Sequence, residues 1–218
     1  GVCQGAFFAS MDRFRITVKG KGAHGAYPQL SVDPIPIACE IVSGLQKIIS
    51  SELPPTSNAL ISVCQIHGGT TQNIIPDEVY MEGTVRSTDE QVRNLIAKRI
   101  EEVASGIAQS YRAAAETAYD FKYPVLINDK AFTEFFVKNT KELFGESCIC
   151  NISVPTMGGE DMAYFLQKAP GTFFVLSNPI IHDGGKIYPH HSDKFDIDES
   201  LLYKGTAAVL ATVLKYLD

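Results

Sequence analysis

The chain has 218 residues, 45% of them hydrophobic and 20% charged, with a formal net charge of -6. That is enough apolar material for one large or two small domains, while the acidic balance argues against nucleic acid as a partner and no apolar run approaches the roughly 20 residues of a membrane helix. The five cysteines, at 3, 39, 64, 148 and 150, are odd in number and dispersed, which suits a reducing compartment and points to the cytoplasm.

Residues 1–10 read as a strand or linker. Arg13-Phe14-Arg15-Ile16-Thr17-Val18-Lys19 alternates polar and apolar residues and predicts a half-buried strand over 11–19. The segment Gly20-Lys21-Gly22-Ala23-His24-Gly25-Ala26-Tyr27-Pro28 then makes a flexible turn, so that His24 sits on a loop anchored at both ends. Asp33 stands where a helix N-cap belongs and Pro34 at the first helical position, before Ile37, Ile41, Leu45 and Ile48 at helical spacing; a helix is expected over 34–50. Strands follow near 59–67 and 78–87, a helix near 89–111 with a capping box at Thr88-Asp89-Glu90-Gln91, and a strand near 116–123. The order strand-helix-strand-strand-helix-strand is the split βαβ pattern of a ferredoxin-like sheet with two helices on one face, which assigns residues 11–122 to one domain.

From Tyr123 the grammar changes. Phe132, Phe135, Phe136, Leu143 and Phe144 line a helix-like stretch, Thr172-Phe173-Phe174-Val175-Leu176 is a short apolar segment of strand type, and a helix-like run spans Leu201 to Leu217. Residues 123–218 therefore read as part of an α/β domain, and the fold class is α+β joined to α/β. Cys148-Ile149-Cys150 lacks a second pair and reads as two alternating strand residues rather than a metal clip.

Several polar residues have spacings that suit chemistry. Asn73 and Arg86 lie at the start and end of a turn-strand segment, where both could project toward one face. A planar guanidinium matches a carboxylate bidentately, although Arg86 could equally pair with Glu82 or Asp89, and Asn73 could be an ordinary turn residue. Gly158-Gly159-Glu160-Asp161 joins a glycine pair that permits close approach to acidic residues at a helix start.

Five segments, in order, carry a resemblance that spans nearly the whole chain. They are Ala9-Ser10-Met11-Asp12-Arg13-Phe14; the His24 segment with Val32-Asp33-Pro34-Ile35; Gln72-Asn73-Ile74-Ile75-Pro76-Asp77 leading to Gly83-Thr84-Val85-Arg86-Ser87; Gly158-Gly159-Glu160-Asp161-Met162; and His190-His191-Ser192-Asp193-Lys194-Phe195 running on to Glu199. Together they resemble the lid-bearing, co-catalytic metal amidohydrolases, a family of hippurate hydrolases, N-acyl-amino-acid deacetylases and indoleacetyl-amino-acid hydrolases, related more distantly to aminoacylase and dimeric carboxypeptidases.

The resemblance implies that 11–122 is a lid and homodimerisation domain and 123–218 the C-terminal part of a zinc-peptidase-like catalytic domain. It implies two divalent metal ions, zinc, manganese or cobalt, that lower the pKa of a shared water and polarise the amide carbonyl. His24 would stabilise the oxyanion, reaching into the partner's site. Asn73 and Arg86 would hold the substrate, an N-acyl amino acid or peptide, with Gly158, Gly159 and Glu160 beside it. His191, rather than its neighbour His190, would touch metal. Most of the family's metal ligands and its general base lie upstream of the lid, and no His-x-Asp, Cys-x-His or paired Glu-Glu element precedes the lid here. The chain is therefore expected to be the C-terminal portion of a longer enzyme and inactive alone. A dipeptidase or carboxypeptidase, or a non-catalytic dimerisation and ligand-binding module, are the alternatives.

Overall fold

In a computed structural model describing residues 1–177 and 179–218, the chain enters on a short strand, β1 (Gly5–Phe8), and alternates through β2 (Met11–Lys19). Along β2 the side chains of Asp12, Phe14, Ile16 and Val18 are buried while Arg13 and Arg15 are exposed. A two-residue strand, β3 (Ala23–His24), pairs antiparallel with β5 (Ile74–Ile75). Three longer strands, β4 (Ala59–Gly68), β6 (Glu78–Ser87) and β7 (Ala114–Tyr123), complete an antiparallel sheet with β2 in the order β4-β6-β2-β7, Ile16 lying opposite Met81 on one side and Thr117 on the other.

Helices α1 (Pro34–Lys47) and α2 (Glu90–Ser110) bury one face of that sheet. Ile37, Ile41 and Leu45 of α1 meet Ile96, Ile100 and Ala104 of α2 over Ile16, Val18, Met81 and Val85. This is the ferredoxin-like arrangement implied by the order of elements. Asp33 caps α1 as its position suggests, accepting from the Ile35 amide at 3.0 Å, and α1 runs on into a π-helical turn over Ile48–Glu52. The cap of α2 differs from expectation: Asp89, not Thr88, accepts from the Gln91 and Val92 amides at 2.7 and 3.0 Å. Thr88 lies just past β6, where its own amide donates to the Asn58 carbonyl at 3.1 Å.

Two charges occupy core-facing positions. Asp12 is 0% exposed and Arg93 6%. Arg93 Nε donates to Asp12 Oδ2 at 2.8 Å and Nη2 to Oδ1 at 2.7 Å, while Nη1 donates to the Glu90 carboxylate. The Tyr119 hydroxyl and the Lys122 amide each donate to Asp12 at 3.0 Å. Asp12 thus accepts four bonds, which uses its lone pairs and offsets the desolvation of the charge. Burial works against the charged form of Arg93, but its hydrogen bonds to Asp12 and Glu90 outweigh that and raise its pKa.

Burial, with Asp12 alongside, also pushes the Tyr119 phenol up. A group whose folded pKa is raised contributes stability that is fully present below its unfolded value, near 10 for tyrosine, and is lost as pH climbs above it. Relative to Tyr119→Phe, the unmodified protein is expected to lose up to ~1.4 kcal/mol more per pH unit above about pH 10. Denaturant midpoints across that range check this.

The compact unit holding this sheet runs from Ala6 to Leu126 and includes Pro155–Phe165, a segment that the sequence assigned to the second domain. It belongs here because Thr156 bonds the backbones of Phe7 and Ala9 at 2.9 and 3.0 Å and the Tyr164 hydroxyl reaches the Lys122 carbonyl at 2.8 Å. A short helix, α4 (Met162–Leu166), closes the segment.

The second unit comprises Gly1–Gly5, Ile127–Val154 and Leu166–Asp218. A short strand, β8 (Leu126–Asn128), leads into α3 (Lys130–Phe144), which packs on α5 (Leu202–Leu217). Of the residues expected to line α3, Phe136 is buried, whereas Leu143 is 47% exposed; Thr133, Asn139 and Thr140 share the buried face. Residues 172–176 form no strand but a single bridge between Val2 and Phe174. The buried Asn128 side chain replaces the ladder, donating to the Cys3 and Phe173 carbonyls and accepting from the Phe173 amide at 2.6 Å. Cys148 ends a 3-10 turn (Glu146–Cys148) instead of alternating in a strand. Among the described residues no helix is long and apolar enough to cross a membrane.

Candidate active site

His24 occupies an exposed hook at one end of the four-stranded sheet. It lies opposite Ile74 in the β3–β5 pair, and the next amide, Gly25, donates to the Asn73 carbonyl at 2.8 Å. The sequence expectation of a bare loop is therefore refined: the histidine is carried by a short ladder that brings Asn73 beside it. Its ring is tethered too, since the Ala26 amide donates to Nδ1 at 3.0 Å and the Tyr27 ring lies with its centroid 5.8 Å away. With Nδ1 accepting from the Ala26 amide, Nε2 is the ring nitrogen left to donate.

Arg86 stands near the end of β6, on the face of the sheet away from the helices. There it lines an open groove with Met11, Arg13, Thr84 and Asp120. Its Nη1 is buried without a hydrogen-bond partner. Neither suspected carboxylate neutralises it, because Glu82 pairs with Arg15 at 3.2 Å and Asp89 caps α2. Burial lowers the pKa of the guanidinium from the usual arginine value, the nearby Asp12 charge opposing the shift; the group stays charged at neutral pH.

Gly159 is packed against this arginine: a Cβ there would lie 2.8 Å from Met11 Cβ and 3.4 Å from Arg86 Nη1. Close approach is thus confined to Gly159, since a Cβ on Gly158 would meet nothing nearer than 3.6 Å. Half-buried Glu160 accepts weakly from the Met162 amide at 3.4 Å, at the start of α4.

His191, in the second unit, adopts φ 67°, one of two non-glycine residues in the left-handed region among those described. That conformation is costly for an ordinary side chain and clusters at functional sites. His190 is engaged differently, its ring stacked on Phe195 with centroids 4.6 Å apart. Among the described residues no group of three or more His, Cys, Asp or Glu side chains is placed to hold a metal ion, so His191 does not by itself build a metal centre.

The structure brings His24 to Asn73, and Arg86 to Gly159, but it separates the two pairs. Gly20, just before the hook, follows the Lys19 end of β2, whereas Arg86 follows Val85, which lies opposite Asp12 at the other end. The nine residues of β2 place the pairs roughly 25 Å apart at ~3.3 Å per residue. The register adds to the expectation that Asn73 and Arg86 project toward one face: the turn at 73–77 and the end of β6 lie a full strand length apart.

The ferredoxin-like sheet thus carries a tethered, exposed histidine at one end and an arginine with no carboxylate partner at the other. Residues 10–112 match the M20 peptidase dimerisation domain, and the chain belongs to this family of amidohydrolases and peptidases. It is 36% identical over 214 residues to thermostable carboxypeptidase 1 of Saccharolobus solfataricus, covering 98% of this chain and 53% of that one. It is 33% identical over 219 residues to the N-acetyl-L-cysteine deacetylase of Bacillus subtilis, covering all of this chain and 50% of the relative. Among solved structures, the YxeP protein of Bacillus subtilis, described as a dinuclear metal-binding peptidase of the M20 family, superposes with a TM-score of 0.76 at 31% identity, over 98% of this chain and 52% of the other. The chain spans about half the length of the curated relatives it matches.

Proposed function

We propose that this chain is the lid and part of the catalytic domain of a metal-dependent amidohydrolase that cleaves N-acyl amino acids, acting in the cytoplasm as a homodimer through residues 11–122. The observation that carries this is His24: exposed, tethered through Nδ1, and left with Nε2 free to donate. Such a donor suits the oxyanion that grows as water attacks an amide carbonyl, a charge absent from the ground state. The roughly 25 Å between His24 and Arg86, at ~3.3 Å per residue of β2, favours a site completed across two protomers, with His24 and Asn73 entering the partner's site.

In the same reading, Arg86 holds the free carboxylate of the substrate, the acceptor that its buried guanidinium lacks, beside Gly158, Gly159 and Glu160. Two divalent ions, zinc, manganese or cobalt, supply the activated water when bound, and His191 is one donor among several. The strained backbone at His191 supports giving it a functional role. A carboxypeptidase or dipeptidase is the second reading, favoured by the carboxypeptidase relative and by the fact that a peptide C-terminus would suit Arg86 equally.

The test is hydrolysis by the full-length protein with added zinc or manganese, offered N-acetyl and N-benzoyl amino acids against dipeptides. Preference for the acylated amino acids is expected; cleavage of dipeptides alone would replace the first reading with the second. Arg86→Lys, which keeps the charge but loses the fork, is expected to raise KM by roughly 10–100-fold with a smaller effect on kcat. Matched kinetics on an amidated substrate, where the loss should vanish, check the assignment to the carboxylate.

A further inference from the structure

Asp77 ends the Gln72–Asp77 segment, yet neither the sheet nor the proposed chemistry uses its side chain. Its two acceptors point at the segment that carries His24: the backbone carbonyl takes the Gly20 amide at 2.8 Å, and Oδ1 takes the Gly22 amide, also at 2.8 Å. The pairing continues from there, with Ala23 opposite Ile75, His24 opposite Ile74, and the Gly25 amide on the Asn73 carbonyl. On its other edge, Lys21 exchanges two backbone bonds with Val32. Gly20 and Gly22 have no side chains to pack, and a Cβ on Gly22 would lie 2.7 Å from the Ile75 carbonyl oxygen. The approach therefore requires glycine, and glycine leaves the backbone loose.

A two-residue β3–β5 pair is too short to hold itself in water. Asp77 extends it by a side-chain acceptor, and a charged acceptor makes the stronger bond. We propose that Asp77 is a positioning residue for His24, its carboxylate standing in for a strand partner so that the hook is held in one orientation; this rests on the reading of His24 as the oxyanion donor.

Amide hydrogen exchange on the 15N-labelled 218-residue protein tests the positioning without any turnover. Asp77→Ala is expected to speed exchange at Gly22 and Gly25 by about tenfold. Asp77→Asn, which keeps an oxygen able to accept, is expected to have a smaller effect, with exchange in the β2–β6 ladder unchanged in both. Unaltered protection of Gly25 in Asp77→Ala would overturn the proposal, as would a uniform acceleration through β2 and β6. In the full-length enzyme, Asp77→Ala is expected to lower kcat rather than raise KM, and to add little to His24→Ala; multiplicative losses in the double variant would also overturn it. Absence of amidohydrolase activity would count against the functional reading alone, since the exchange result stands apart from it.

Discussion

Replacing His24 with alanine in the full-length protein is expected to lower turnover by roughly 10²–10³-fold, about 2.7–4 kcal/mol of transition-state stabilisation, while KM and metal content stay nearly constant. The size follows from where the donor acts. A hydrogen bond to a carbonyl oxygen that becomes an oxyanion strengthens during the reaction, so its loss appears in kcat. His24 is exposed, its ring meeting the Ala26 amide and Tyr27, so its removal should cost the fold little. Steady-state kinetics with parallel metal analysis decide the matter; unchanged turnover would remove His24 from the mechanism.

Asp12→Ala is expected to have the largest effect on stability, about 3–5 kcal/mol, because it strands the buried Arg93 charge. Arg93 would keep Glu90 and the Lys122 carbonyl but lose the bonds from Nε and Nη2 to Asp12, and the Tyr119 hydroxyl and Lys122 amide would lose their acceptor. Against a total of roughly 5–15 kcal/mol for a typical domain, that is a large share. Removing both charges together, as Asp12→Leu with Arg93→Met, is expected to cost far less than Asp12→Ala, since apolar pairs of similar volume replace buried ion pairs well. Urea unfolding midpoints of the three proteins test the coupling; equal losses would mean that the pair is not the source of the penalty.

The lid was legible because its elements carry their periods openly. Strand alternation across Arg13–Lys19 and the Asp33-Pro34 start with its apolar stripe map onto β2 and α1 with ends nearly unchanged. The second unit was less so, because Asn128 satisfies backbone groups that a periodic strand would otherwise pair, and no spacing announces a side chain in that role. The Asp12–Arg93 pair did leave a trace. Asp12 shares the parity of Phe14, Ile16 and Val18, and Arg93 shares the stripe of Ile96 and Ile100, so two opposite charges sit out of pattern on surfaces destined for one core. Register was the missing information at the site, for only pairing β2 with β6 reveals that Asn73 and Arg86 stand at opposite ends of the sheet. The distinction between Gly158 and Gly159 likewise depends on what Met11 and Arg86 place nearby.

The most direct test of a site shared between protomers is complementation. His24→Ala and Arg86→Ala proteins, each inactive alone, would be mixed under conditions that exchange subunits, and turnover then measured. If His24 serves the partner's site and Arg86 its own, random reassortment rebuilds one complete site in each mixed dimer and is expected to restore about one quarter of wild-type activity. Failure of the mixture to recover activity, with subunit exchange verified, would contradict a site built across the dimer.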